Sequence, residues 1–244
     1  MNIHVLAGDS LAAPFGETEI DGEVFVCREC LVDGDAGTDS LEGFWLRREA
    51  YLAGNYEKEE GFYEDKVKNE FIRLWNRSEG NNVNLWFERE LFCQVNLWFT
   101  IWLLRNTEAT MYVVYPKLAK DTDIWKGFSF LNSNELKTSF EERIKLNHDD
   151  IYLGVQLWEA FQARDFEKLS DLGSTESKAF PTLKEVCEAA VEIETRPRNS
   201  LAKIIESGAK DFGAAFKAFN ETEAIYGLGD LQVKKLYDEV IADA

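Results

Sequence analysis

Basic residues are in short supply. The 244-residue chain has 27 Lys and Arg against 45 Asp and Glu, a formal net charge of −18. Nucleic-acid backbones and anionic bilayers are both held by positive fields, so neither is an expected partner. Histidine is nearly missing, with His4 and His148 alone. No apolar run is long enough to span a bilayer: the most apolar stretch, residues 91–104, carries Cys93, Gln94 and Asn96 and reads as a buried helix. The opening MNIHVLAGDSL has no basic segment ahead of its apolar residues, so a signal peptide is not expected and a cytoplasmic protein is. Cysteine is limited to Cys27, Cys30, Cys93 and Cys187. Cys27 and Cys30 form one CxxC, but there is no second pair to complete a zinc site. A redox CxxC needs a helix N-terminus to stabilise its thiolate, whereas Cys27 closes the strand-like run GEVFVC, so it is expected to be buried and Cys30 incidental.

What is present suffices for a core, with 45% hydrophobic and 30% charged residues. Residues 2–7, 23–27, 82–87 and 110–115 are short apolar runs that read as strands. Between them, residues 40–51, 60–77 and 88–104 have helical spacing, with Ser40 a candidate cap and residues 33–40 a loop. Strands alternating with helices predict an α/β, Rossmann-like open parallel sheet over residues 1–120. From 121 to 244 the pattern is helical: 134–143, 149–164, 180–194, 201–206, 211–219 and 230–242. Residues 196–200 read as a break with Ser200 as a cap, and the end of this second, mainly helical domain is winged-helix-like in outline. Trp86, Trp98 and Trp102 are expected in the core.

Five motifs in order, HVLAGDSL (4–11), GEVFVCRECLVDG (22–34), NLWFERELFCQ (84–94), GFSFLNSNEL (127–136) and LWEAF (157–161), resemble the bacterial proteins of domain of unknown function 1835 (DUF1835). The resemblance spans nearly the whole chain and implies a Rossmann-like N-terminal domain with a helical C-terminal part. It implies no activity. Cys27 stands where that family has Trp, Arg89 and Glu90 where it has His and Asp, and Cys93 where it has Asp.

Open parallel sheets bind ligands beyond the carboxyl ends of their strands. Three expected strands end in polar residues: Gly8, Asp9 and Ser10; Arg28 and Glu29; Glu88, Arg89 and Glu90. Side by side, they would gather at one rim. Gly8, Asp9, Ser10, Arg28, Glu29 and Glu88 are therefore the candidate ligand-binding residues. Arg28 could clamp a phosphate or carboxylate, amides after Asp9 could face an anion, and Asp9, Glu29 and Glu88 could hold a hard cation such as magnesium. The alternatives are structural: Asp9 as a helix cap, Glu88 and Glu90 in a helix's first turn, Arg28 paired with Glu29 or Glu88. Trp45, Arg47, Arg48 and Tyr51 form an aromatic and cationic cluster that could line the pocket mouth or an amphipathic helix.

No catalytic residue, cofactor or metal is assigned. Gly8-Asp9-Ser10-Leu11 looks like the nucleophile block of GDSL esterases, but His148 is the one late histidine, Lys145 stands three before it, and His4 lies inside a strand. No P-loop or G-x-G-x-x-G follows a strand, and Gly227 and Gly229 read as a turn. Residues 181–244 carry eight bases against twelve acids, which argues against a DNA-reading helix. Two functions remain: a site for a small anionic ligand at the sheet rim, or a non-catalytic module that binds a protein partner through the acidic helical half.

Overall fold

A computed structural model describes residues 1–37, 40–56, 61–117 and 119–243. The expected helix start at Glu60 and residues 38–39 of the expected loop lie outside the described residues. Four parallel strands, β1 (Asn2–Leu6), β2 (Glu23–Val26), β3 (Asn82–Trp86) and β4 (Thr110–Val114), fall on the four apolar runs. A fifth, β5 (Ile144–Lys145), adds antiparallel to β4, giving the order β2-β1-β3-β4-β5. Leu6 sits between Val26 and Trp86 in the register, and Trp86 faces Val114. The chain leaves β1 for β2 on one side and returns past it to β3, so its crossovers diverge at β1.

Side chains alternate between the sheet's two faces. On one face Ile3, Val5, Phe25, Leu85 and Val113 meet the helices that link β2 to β3 and β3 to β4: α2 (Leu41–Asn55), α3 (Asn69–Ser78, preceded by a π turn at Glu64–Lys68) and α4 (Leu91–Leu104). On the other, His4, Leu6, Trp86 and Val114 meet α1 (Asp9–Gly16) and α5 (Ser133–Glu141) through Leu11, Phe15, Leu136 and Phe140. Trp86 Nε1 donates to His4 Nδ1 at 3.1 Å and His4 Nε2 lies 3.3 Å from the Asp21 carbonyl. Those partners suit a neutral ring, and burial lowers the His4 pKa accordingly. A Cβ on Gly22 would come within 2.7 Å of that ring, and the residue's φ of +153° also favours glycine.

α4 explains the apolar stretch. Every residue of it but Phe92 and Trp102 is buried, between the sheet and α6 (His148–Ala163). Phe44 and Trp158 pack on Phe99 at 4.9 and 5.0 Å between centroids. Trp86 and Trp98 are fully buried as expected, while Trp102 is half-buried. The same core continues through α7 (Phe166–Gly173), α8 (Leu183–Val191), α9 (Arg196–Glu206), α10 (Phe212–Thr222) and α11 (Asp230–Ala242) by way of Leu169, Val186, Leu201, Phe219 and Val233.

Several boundaries differ from expectation. Residues 196–200 are the first turns of α9 rather than a break, because proline is tolerated where an amide has no helical partner; Ser200 is not a cap. α7 and β5 were not expected. Among the described residues no strand follows β5, so the winged-helix-like end has no β wing. The outer edge of β2 is covered by α3: Val26 N donates to Glu70 Oε1 at 3.1 Å, and Arg77 Nε lies 3.0 Å from Glu23. Among the described residues, no helix is long and apolar enough to cross a membrane.

Candidate functional site

The segments leaving β1 and β2 do converge. Ala7 to Asp9 and Cys27 to Cys30 line a cavity of about 410 Å³ at the carboxyl edge of the sheet. Gly8, with φ +108°, turns the chain from β1 into α1 and offers no side-chain cap, while Asp9 occupies the first turn. Asp9 is thus not the cap. Its carboxylate accepts from Arg28 Nε at 2.9 Å and Arg28 Nη2 at 2.7 Å, and Arg28 Nη1 donates to the Lys66 carbonyl at 3.2 Å. Arg28 therefore pairs with Asp9, not with Glu29 or Glu88. The carboxylate side of that pair is open, at 65% exposure for Asp9 against 24% for Arg28.

Glu29 forms the floor. Its side chain and that of Arg48 are fully buried, with Arg48 Nη2 2.9 Å from Oε2. Tyr63 Oη donates to Oε1 at 2.7 Å and the Cys30 amide to Oε2 at 3.0 Å. Asn96 of α4 binds the same loop twice, donating to the Glu29 carbonyl at 2.8 Å and accepting from Leu31 N at 3.3 Å. Arg48 also donates to the Asp33 carbonyl at 2.8 Å, and the Asp33 carboxylate accepts from the hydroxyls of Tyr51 and Tyr56. Gln232 of α11 donates to Tyr56 Oη at 3.0 Å, so the C-terminal helix is fastened to this wall.

The cavity is also lined by apolar and aromatic side chains: Leu52, Tyr56, Phe62, Tyr63 and Phe92. Sequence reading missed these residues. On α2, positions 49, 52 and 53 share one helical face, so part of the signal was there. The cluster it selected instead faces elsewhere: Trp45 is in the core, Arg47 pairs with Asp35, Arg48 is under Glu29, and Tyr51 binds Asp33. Burial pushes the thiols of Cys27 and Cys30 up to about 12, so both are protonated and unreactive at neutral pH.

Glu88 and Ser10 do not join the cavity lining. Glu88 turns to the far side, where its Oε1 accepts from Phe128 N at 2.7 Å beneath Gly127. With Glu29 neutralised by Arg48 and Glu88 turned away, the cation site expected from Asp9, Glu29 and Glu88 is not assembled. Ser10 is exposed, His4 is engaged across the sheet, and His148 projects into solvent at 95% exposure, so the esterase arrangement is not assembled either.

Beside Glu88, Glu90 caps α4 by accepting from Cys93 N at 3.2 Å with both oxygens. Ligand atoms of Glu88, Glu90 and Cys93 lie within 4.8 Å of one another. Burial, then the charge of Glu88, raises the Glu90 pKa to about 8, and burial raises Cys93 and Glu88 as well. All three groups favour their protonated forms, and as close neighbours they titrate together. No family model matches the chain, and no curated protein or solved structure is significantly similar to it.

Proposed function

We propose that the chain binds a small molecule with an anionic end and an apolar, ring-bearing body in the cavity at the ends of β1 and β2. The observation that carries this reading is the pairing, across about 410 Å³, of Gly8, Asp9 and Arg28 with Leu52, Tyr56, Phe62 and Phe92. The volume falls in the range of small-molecule sites, and a few polar groups facing an apolar wall is their usual chemistry. An exposed ion pair contributes little to stability, so an incoming carboxylate or phosphate can replace Asp9 on Arg28 at small cost. Gly8 and Asp9, which open α1, line the same cavity, and a helix N-terminus favours negative charge.

The reading is of a binding site. Ser10 has no base beside it, and the two cysteines in the wall are protonated. All four cysteines are unpaired, which fits a cytoplasmic setting. The motif order resembling DUF1835 belongs to the same proposal, since residues 4–11 and 22–34 supply the polar end of the cavity.

Anilinonaphthalene sulfonate, an aromatic ring system with one fixed anion, tests it. The folded chain should bind the dye saturably, with enhanced fluorescence. Leu52→Trp, which fills the cavity, should abolish the signal, and Arg28→Ala should weaken binding about tenfold. If both variants melt like the parent and still bind the dye as well, the cavity is not the site.

A further inference from the structure

A second cavity, of about 310 Å³, opens beside the carboxyl end of β4. Arg89, from the turn after β3, lies over the Tyr115 ring with its guanidinium carbon 4.8 Å from the centroid, and its Nη1 donates to the Pro116 carbonyl at 3.0 Å. Lys117 follows on the same strand exit, and Lys178 reaches in from the segment between α7 and α8. The one acid in this lining, Glu142, is paired with Lys117.

Arg28, Arg48, Arg77 and Arg196 each meet a carboxylate, as expected in a chain with 45 acids. Among the described residues neither Arg89 nor Lys178 forms such an ion pair. Arg89 is half-buried, so its charge is partly stripped of water, and burial lowers its pKa by more than Tyr115 raises it. A desolvated guanidinium facing a cavity is a strong binder of oxyanions.

We propose that this cavity is a second, separate site, for a phosphate-bearing small molecule held between Arg89 and Lys178. Two uncompensated positive charges match the dianion of a phosphate monoester, whereas a monocarboxylate leaves one of them uncovered. Arg89 lines the cavity and spends only Nη1, on Pro116, among the hydrogen bonds of the described residues. Lys117, tethered by Glu142, forms the wall. The site shares no lining residue with the cavity at β1 and β2, so either can exist without the other.

Inorganic phosphate, titrated calorimetrically into the full chain in a chloride buffer of matched ionic strength, is the test. In the Arg28→Ala chain, whose first cavity has lost its anion clamp, the expected result is a saturable one-site isotherm, about tenfold weakened by adding Arg89→Gln or Lys178→Glu. Acetate at the same ionic strength should bind about tenfold more weakly than phosphate. Lys178 is exposed, so its variant keeps the test valid should Arg89→Gln fail to fold. No saturable heat with the Arg28→Ala chain, or an isotherm there indifferent to Lys178→Glu, overturns the proposal.

Discussion

Arg48→Ala should destabilise the fold by about 3–5 kcal/mol, read from the shift in a urea unfolding curve. The size follows from what the truncation strands. Glu29 is fully buried, and Arg48 supplies its one positive partner among the ion pairs of the described residues. Tyr63 and the Cys30 amide still donate to the carboxylate, but two neutral hydrogen bonds do not replace a countercharge in a medium of low polarity. Arg48 also holds the carbonyls of Cys30 and Asp33, so the loop that carries Arg28 loses its support as well. The paired replacement Glu29→Leu with Arg48→Met should cost less than Arg48→Ala, because no charge is then left without its partner. A loss below about 1 kcal/mol for Arg48→Ala would mean that the stranded carboxylate takes a proton or water without difficulty, and the account of the cavity floor would be wrong.

The second large effect concerns pH. The Glu90 pKa is about 8 in the folded chain against an ordinary value of 4.5. A folded-state pKa raised above the unfolded one means that the folded state holds the proton more tightly. The stability this contributes is fully present below pH 4.5 and is lost as pH rises through 8. The groups facing it do not reverse the sign. Glu88 and Cys93 favour their neutral forms too, and the Arg89 guanidinium is turned to Tyr115 and Pro116. Gly227 lies so near the Glu90 side chain that a Cβ there would clash with it, while the neighbouring Tyr226 feels Arg196 and Glu223 instead. Glu90→Gln keeps the shape and the bond from the Cys93 amide without the charge. Its stability relative to the parent should climb by a few kcal/mol between about pH 5 and pH 8 and then level off. A difference that stays flat over that interval in paired urea titrations would refute the assignment of the proton to Glu90.

The strands were legible because each is a short apolar run ended by polar or turn residues, and a strand buried on both faces has no other composition available. β5 was not, since Ile144 and Lys145 make too brief a segment to show any period. Pro197 misled in the other direction: a proline after Arg196 reads as a stop, and only its place in a helix's first turn makes it harmless. At the site, Gly8, Asp9, Arg28 and Glu29 were found because the end of a parallel strand fixes where the next residues go. Glu88 obeyed the same rule and still departed, because Phe128, forty residues on, offers its amide on the far side. Whether Arg28 meets Asp9, Glu29 or Glu88 depends on which carboxylates are already committed, and Arg48, nineteen residues beyond Glu29, decides that. Such choices follow from tertiary contacts that no local pattern encodes.

An open sheet has two raw rims, and each is a potential template on which a second molecule could polymerise. Here the Glu70 carboxylate takes the Val26 amide at one rim, with Arg73 and Arg77 arching over Glu23 beside it. At the other rim, the run ends in a two-residue strand of reversed direction. One border is thus blunted by a helix's side chains and the other by brevity, two of the devices by which native sheets discourage edge-to-edge pairing.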